Sequence, residues 1–147
     1  IGGSWRTLAA MGRGKPRIVA TAGEFLSYAA DRVLGSREVW DAAALVTLAY
    51  AATMTPDFGA GVNFKTTMTG NGTLANPTNA KPGQTGFFTF KQDATGGRTL
   101  SYGSNYRFGS GYAPPLSTAP NAWDRLHYSV ETSTEIVLTP FTDIRAS

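Results

Sequence analysis

The spacing of apolar residues divides the chain into a helical part and a β part. Between residues 21 and 44, apolar side chains such as Phe25 and Tyr28 recur at helical intervals, which predicts one face of a helix. A break before Ser36 makes that residue the N-cap of a second short helix over residues 37–44. Helices this short cannot bury their own apolar face, so we expect them to pack on the β part or on other copies.

From residue 45 onward the period changes to two, which is typical of half-buried strands. The clearest alternation covers residues 62–69, where Val, Phe, Thr and Met alternate with polar residues. A Phe-rich strand is predicted at residues 86–92. Phe88 and Phe90 then face the core, and Phe87 lies on the opposite face.

Gly, Asn and Pro mark the connections between the predicted strands. Residues 71–83 are predicted as a loop that begins with an Asn-Gly turn. Residues 93–97 are predicted to form a hairpin loop that returns the Phe-rich strand along residues 98–102. A closing hairpin is expected between residues 123–131 and 135–141.

Short strands at this spacing favour a sandwich or a barrel. We therefore predict a mainly β fold, an antiparallel β-sandwich of jelly-roll type preceded by a short N-terminal helical segment. The predicted parts are a basic N-terminal arm at residues 1–20, a helical lead-in at residues 21–44 and a β-sandwich domain at residues 45–147.

Composition narrows the classes of function. The 147 residues contain no cysteine, which excludes disulfides, thiolate metal ligands and thiol catalysis. Only 16% of the residues are charged, against about 25% on average. A surface that is polar through Thr, Ser and Asn suits an assembled protein, because copies with few charges repel one another little. No apolar run approaches the ~18 residues of a membrane span, so membrane insertion is not expected.

The N-terminal arm is basic, with Arg6, Arg13, Lys15 and Arg17 and no acidic residue among its 20 residues. Such an arm can dock on an acidic partner, or it can be a solvated linker or a segment packed on a neighbouring subunit. Nucleic acid is disfavoured as the partner, because Trp5 is the only aromatic residue there and basic residues do not form runs.

No residue pattern predicts catalysis, a metal or a cofactor. His127 is the only histidine, and a lone histidine without cysteine cannot build a structural zinc site. No nucleophile-elbow motif is present. The acidic residues are scattered, so a carboxylate pair that meets only in the fold stays open, and a depolymerase is the least favoured of the functions considered.

Aromatic residues near Gly- and Pro-rich loops are the better candidates for binding. Tyr106, Tyr112 and Trp123 could stack on sugar rings if they are exposed. The alternative is that they fill the core of a glycine-rich β domain. Trp40, in the second predicted helix, is the candidate for assembly or docking.

Residues 32–137 resemble a β module that recurs in structural proteins of tailed bacteriophages, of the tail-fibre-like and decoration-like kinds, and ordered motifs in and next to this span carry the resemblance. The motifs are ADRVL at 30–34, VWDAA at 39–43, TPDF at 55–58, GVNF at 61–64, GNGTLANPTN at 70–79, GQTG at 83–86, QDATGGRTL at 92–100 and LSTAP at 116–120. Their joint order carries the resemblance, and the basic arm lies outside it.

The resemblance implies a virion structural protein without catalytic residues, assembled in the cytoplasm of the host bacterium. It would be a fibre, a spike or a capsid-surface decoration that self-associates, with a trimer favoured, and docks on other virion proteins of the capsid or tail. The alternative is a tip domain of a tail fibre that binds a host receptor or surface glycan.

Overall fold

Residues 36–144 are described by the structure, a computed structural model. The chain divides into two compact units, the first ending at Ala42 and the second beginning at Ala43. The first unit contributes one described helix, α1 (Ser36–Ala42), where the second predicted helix was expected. The first predicted helix and the basic arm lie outside the described residues. Across residues 36–144, no helix is long and apolar enough to cross a membrane.

The second unit is mainly β, as the alternation predicts. Its described residues, 43–144, form nine strands: β1 (Leu45–Thr47), β2 (Thr53–Met54), β3 (Asn63–Met68), β4 (Gly72–Leu74), β5 (Thr85–Gln92), β6 (Leu100–Tyr102), β7 (Tyr106–Phe108), β8 (Trp123–Thr132) and β9 (Glu135–Ile144). A single 3-10 turn at Gly109–Gly111 follows β7.

The first six strands alternate between two sheets. Strands β1, β3 and β5 lie side by side and parallel in a six-stranded sheet, while β2, β4 and β6 form a parallel three-stranded sheet. The chain therefore winds in one direction through three successive turns, which we call the parallel coil. The prediction of an antiparallel fold is wrong here. Each connection leads to the other sheet instead of reversing the chain, and alternation alone does not reveal which strand is a neighbour.

The remaining strands complete the six-stranded sheet, whose order is β1-β3-β5-β8-β9-β7. Strand β8 pairs antiparallel with β5, and β9 pairs antiparallel with β8. The predicted closing hairpin is thus confirmed, with Tyr128 opposite Leu138 and Val130 opposite Ile136. Strand β7 pairs parallel with β9 at the edge.

The predicted hairpin at residues 93–97 is wrong, because β5 and β6 belong to different sheets. Hydrogen bonds from side chains redirect the chain at this point. The Asp93 carboxylate accepts from the backbone N–H groups of Thr95 and Gly96. The Gln92 amide, buried inside the fold, donates to the carbonyl oxygen of Arg98 and accepts from its N–H. Gly96 has a positive φ of 70°, which a residue with a side chain rarely adopts.

The predicted loop at residues 71–83 contains strand β4, so the Asn-Gly turn expected at its start is also wrong. The Asn71 side chain accepts a hydrogen bond from the backbone N–H of Thr99, one turn of the coil further on. Other polar side chains link successive turns in the same way. Thr73 Oγ1 lies 2.9 Å from Ser101 Oγ, and the Asn79 amide donates to the Asp57 carboxylate over 2.7 Å. Asparagine here stabilises the stacking of turns instead of reversing the chain.

Both sheets contribute to one hydrophobic core. Phe88 lies in a cluster of rings, with centroids 5.5 Å from Phe64 and 5.4 Å from Tyr128. Phe88 and Phe90 face the core as predicted, and so do Phe64 and Met68 of the alternating strand. The period of two therefore assigned the faces of these strands correctly.

The Asp93–Arg98 pair gives a pH prediction. Hydrogen bonds from Arg98, helped by the backbone N–H of Gly96, hold the pKa of Asp93 below its ordinary value of 3.8. A lowered pKa means that the carboxylate stabilises the fold above that ordinary value, and that this stabilisation is lost as the pH falls through the folded-state pKa.

We therefore expect Asp93→Asn to lower the melting temperature at about pH 7, and to change it less at about pH 2.5, because the stabilisation by the native carboxylate decreases as the pH falls. Thermal melts of the variant and the native chain at both pH values check this. Glu131→Gln, at an exposed position of β8, serves as the control. A loss for Asp93→Asn that is equal at both pH values would contradict this role of the pair.

Candidate ligand-binding face

The six-stranded sheet has one face towards the core and one face away from it, which we call the outer face. Along β5 and β8, Phe88 and Leu126 point into the core. Because side chains alternate along a strand, their neighbours Phe87 and His127 point outward, and the two are opposite each other in the register. The outer face is therefore built by every second residue of these strands.

The strand register aligns the outward residues in rows that run across the sheet. Those called the three rows are Leu45, Asn63, Phe87, His127 and Thr139; then Thr47, Lys65, Thr89, Arg125 and Phe141; then Thr67, Lys91, Trp123 and Ile144. A further row beside the first contains Thr85, Ser129, Val137 and Arg107. Residues that are far apart in the sequence thus become neighbours on one surface.

Aromatic rings form a continuous cluster on this face. The ring centroids of Phe87 and His127 are 5.8 Å apart, and those of His127 and Phe141 are 5.0 Å apart. Phe141 is 53% exposed, although it is a large apolar side chain. The cluster therefore exposes aromatic surface to solvent on the side of the sheet that faces away from the core.

The guanidinium of Arg125 stacks on two rings of the outer face. Its central carbon lies 4.3 Å from the centroid of Phe87 and 5.4 Å from that of Trp123, within the range of cation–π attraction. Its Nε and the neighbouring Thr89 Oγ1 are both shielded from solvent and lack a hydrogen-bond partner within residues 36–144. Arg125 also forms no ion pair with any described carboxylate.

The three rows carry positive charges and no negative charge. Lys65, Lys91 and Arg125 are all cationic, and the rows contain no Asp or Glu. Cationic groups beside exposed rings can hold an anion that also has an apolar surface. The arrangement is a candidate for binding and offers no group for acid–base chemistry beyond His127.

The three aromatic residues that the sequence suggested for glycan contact do not form one site. Tyr106 is only 4% exposed, and its hydroxyl donates to the backbone oxygen of Ala75, so the expectation that it is an exposed ring is wrong. It fills the core instead. Tyr112 is 74% exposed in the loop after β7. Trp123 is half-buried on the outer face beside Arg125.

The candidates for assembly fall in the N-terminal part of the chain. Trp40 on α1 is 73% exposed, and Val39 beside it is exposed as well. Arg6, Arg13, Lys15 and Arg17 lie outside the described residues.

Within residues 36–144, no three His, Asp or Glu side chains come together as a metal ion would need. The buried tyrosines Tyr102, Tyr106 and Tyr128 have pKa values raised by desolvation, so their hydroxyls stay protonated and act as hydrogen-bond donors.

Sequence reasoning missed Phe87, Arg125, His127 and Phe141 as members of one surface. A signal was present, since Phe87 and His127 are out of phase with the core residues of their strands. The pairing of β5 with β8 brings the two together, and neither the period nor the turns predict that pairing.

Comparison with protein families adds an independent observation. Residues 54–124, just under half of the chain, match the model of a family described as "Putative phage tail fibre C-terminal domain". This stretch is a phage tail-fibre-like β module. The match begins in β2 and ends in β8, so it spans most of the parallel coil, while Arg125, His127 and Phe141 lie beyond it. Searches of curated proteins and of solved structures found no significant match.

The tail-fibre-like module confirms the resemblance seen in the sequence motifs. It indicates a structural role in a phage virion. Six of the eight motifs lie wholly inside the matched stretch, at 55–58, 61–64, 70–79, 83–86, 92–100 and 116–120.

Proposed function

We propose that the chain is a structural, non-enzymatic component of a phage tail fibre, which self-associates and docks on other virion proteins. The observation that carries the proposal is the match of residues 54–124 to a tail-fibre domain. The parallel coil supports the proposal, because polar side chains and backbone hydrogen bonds link each turn to the next. A fibre that bears a mechanical load requires such links. The match to a tail-fibre family favours the tail over a capsid decoration.

Self-association is proposed to use the helical lead-in. Trp40 and Val39 expose large apolar side chains on a helix of seven residues. A helix this short is marginal alone in water and gains stability when another surface covers its apolar side. Other copies of the chain would supply that surface, and a trimer is the proposed state. The basic residues Arg6, Arg13, Lys15 and Arg17 would dock the assembly on an acidic virion partner, leaving the β unit to project from the particle.

Trp40→Ala is expected to weaken self-association by at least about tenfold, because a buried tryptophan is a typical hot spot of an interface. The melting temperature of the β unit should change little, since Trp40 lies in the other unit. Sedimentation across a range of concentrations measures assembly, and thermal melts measure the fold.

Arg37→Ala is the matched control for Trp40→Ala. Arg37 is an exposed residue of the same helix, and its only ion pair in the described chain is a long contact of 3.8 Å with Asp41. The control should assemble nearly as the native chain does. Equal weakening of assembly by both variants, or parallel loss of assembly and melting temperature in Trp40→Ala, would refute the role of Trp40.

A second candidate function is that of a receptor- or glycan-binding tip. The aromatic cluster of the outer face favours it, because exposed rings beside cationic side chains suit a ligand better than a purely structural surface. Of the residues first considered for glycan contact, Trp123 belongs to this face.

A further inference from the structure

We infer that the outer face binds a saccharide that carries carboxylate groups, with Arg125 pairing with a carboxylate and the neighbouring rings stacking on the sugar. The choice of a saccharide rests on the proposed tail-fibre function, whereas the requirement for a negative charge rests on the geometry alone. The binding surface consists of Phe87, Trp123, Arg125, His127 and Phe141, flanked by Lys65 and Lys91.

The Arg125 guanidinium has no ion-pair partner among the described carboxylates. The guanidinium carbon lies over the rings of Phe87 and Trp123, at 4.3 Å and 5.4 Å from their centroids. The Nε is shielded from solvent and has no acceptor among the described residues, so a ligand would meet the terminal N–H groups, which no described carboxylate pairs with. A guanidinium held between two rings is already oriented, so it loses little freedom when a carboxylate binds in the paired two-bond geometry.

The three rows contain no acidic side chain that could compete with an anionic ligand for their cations. The three rows carry Lys65, Lys91 and Arg125 and no acidic residue. Outside the three rows, the described arginines of the β unit are paired: Arg98 binds Asp93 over 2.8 Å, and Arg107, in the adjoining row of the outer face, lies 3.7 Å from Glu135. The cations of the three rows have no described carboxylate partner and therefore attract anionic ligands.

The aromatic cluster indicates that the ligand also has an apolar surface that can stack on rings. Phe87, His127 and Phe141 form a connected strip next to the guanidinium. Rings in such a strip bury the C–H faces of sugar rings. The strip follows the rows across several strands, which suits an extended polymer with repeated acidic sugars better than a small compact ligand.

A basic and aromatic sheet face also fits single-stranded nucleic acid, on whose bases aromatic side chains stack. The saccharide is favoured because a tail fibre meets the outside of a cell, where acidic polysaccharides are displayed. Nucleic acid is therefore an alternative that the experiment must separate.

The experiment measures binding of the full chain to polygalacturonate and to polysialic acid, each compared with its methyl-esterified form. Esterification removes the negative charge of the carboxylates and leaves the sugar rings unchanged. We expect the native chain to bind at least one free acid about tenfold or more tightly than its ester. Arg125→Gln should remove most of that difference. Arg107→Gln, which removes the same charge from an exposed arginine of β7 outside the three rows, should retain it.

Further variants test the inference if the Arg125→Gln protein does not fold. Lys65→Gln with Lys91→Gln changes two exposed side chains and should also lower the preference for the acid. Phe141→Ala should weaken binding of acid and ester alike, since it removes a stacking ring and no charge.

Three results would overturn the inference. The first is failure to bind either free acid, and the second is equal binding of acid and ester by the native chain. The third is tighter binding of oligothymidylate than of both saccharides, which would assign the face to nucleic acid. These measurements use the isolated chain in solution, so their failure leaves the proposed place in the virion to be judged by localisation on the particle.

Discussion

Phe88→Ala is expected to lower the free energy of unfolding by about 3–5 kcal/mol, the usual cost of removing a fully buried phenylalanine. Phe88 is 1% exposed and contacts the rings of Phe58, Phe64, Phe90 and Tyr128, at centroid distances of 5.4–6.0 Å. These rings come from β3, β5, β8 and the loop after β2. Truncation would leave a cavity at the point where the parallel coil meets the closing hairpin.

Phe87→Ala is the matched control for Phe88→Ala, because the two residues are adjacent on β5 and point to opposite faces. Phe87 is half-buried and stacks with Arg125 and His127 on the outer face. Its removal should cost about 1 kcal/mol. Urea unfolding of both variants measures the difference. Comparable losses would mean that the outer face is part of the core, which would also undermine its role in binding.

Asp124→Ala is expected to cost about 3 kcal/mol, because three hydrogen bonds lose their acceptor and each unmet donor costs about 1 kcal/mol. The Asp124 carboxylate is 1% exposed on the core side of β8. It accepts from the backbone N–H and the hydroxyl of Ser117 and from the backbone N–H of Asp143, each over 2.7 Å. One side chain thereby fixes the long loop before β8 and the end of β9.

Asp124→Asn and Asp57→Ala complete the test of this prediction. The carboxamide keeps the size and one acceptor oxygen, so Asp124→Asn should lose less than Asp124→Ala. Asp57 also accepts hydrogen bonds, from Gly59 and Asn79, but it does so at the solvent-exposed surface. Its replacement should therefore cost less. Urea unfolding that finds Asp57→Ala as damaging as Asp124→Ala would contradict this assignment.

The sequence predicted local faces well and long-range pairing poorly. The period of two placed Phe64, Phe88 and Leu126 in the core, because each strand must bury one side. The closing hairpin could be predicted since its two strands are joined by a short turn. The parallel coil could not, because its neighbours are separated by a strand of the other sheet, and the same alternation fits either direction of pairing.

Because strand pairing could not be predicted, the outer face could be predicted only in part. Phe87 and His127 could be assigned to the outside of their strands from the sequence. That Arg125 would stack between Phe87 and Trp123 depends on the register of β5 against β8, which is fixed only in the fold. For Tyr106 the sequence left two interpretations open, an exposed ring near a glycine-rich loop or a core residue, and the fold supports the second because β7 carries Tyr106 into the core.

Immunogold electron microscopy with antibodies against this chain, on the virions that carry it, tests the central proposal most directly. Gold on the tail fibres is the predicted result, because residues 54–124 form a tail-fibre-like module. An antibody against the major capsid protein on the same particles controls for access and labelling. Gold over the capsid lattice, or purified virions without label, would contradict the assignment to the fibre.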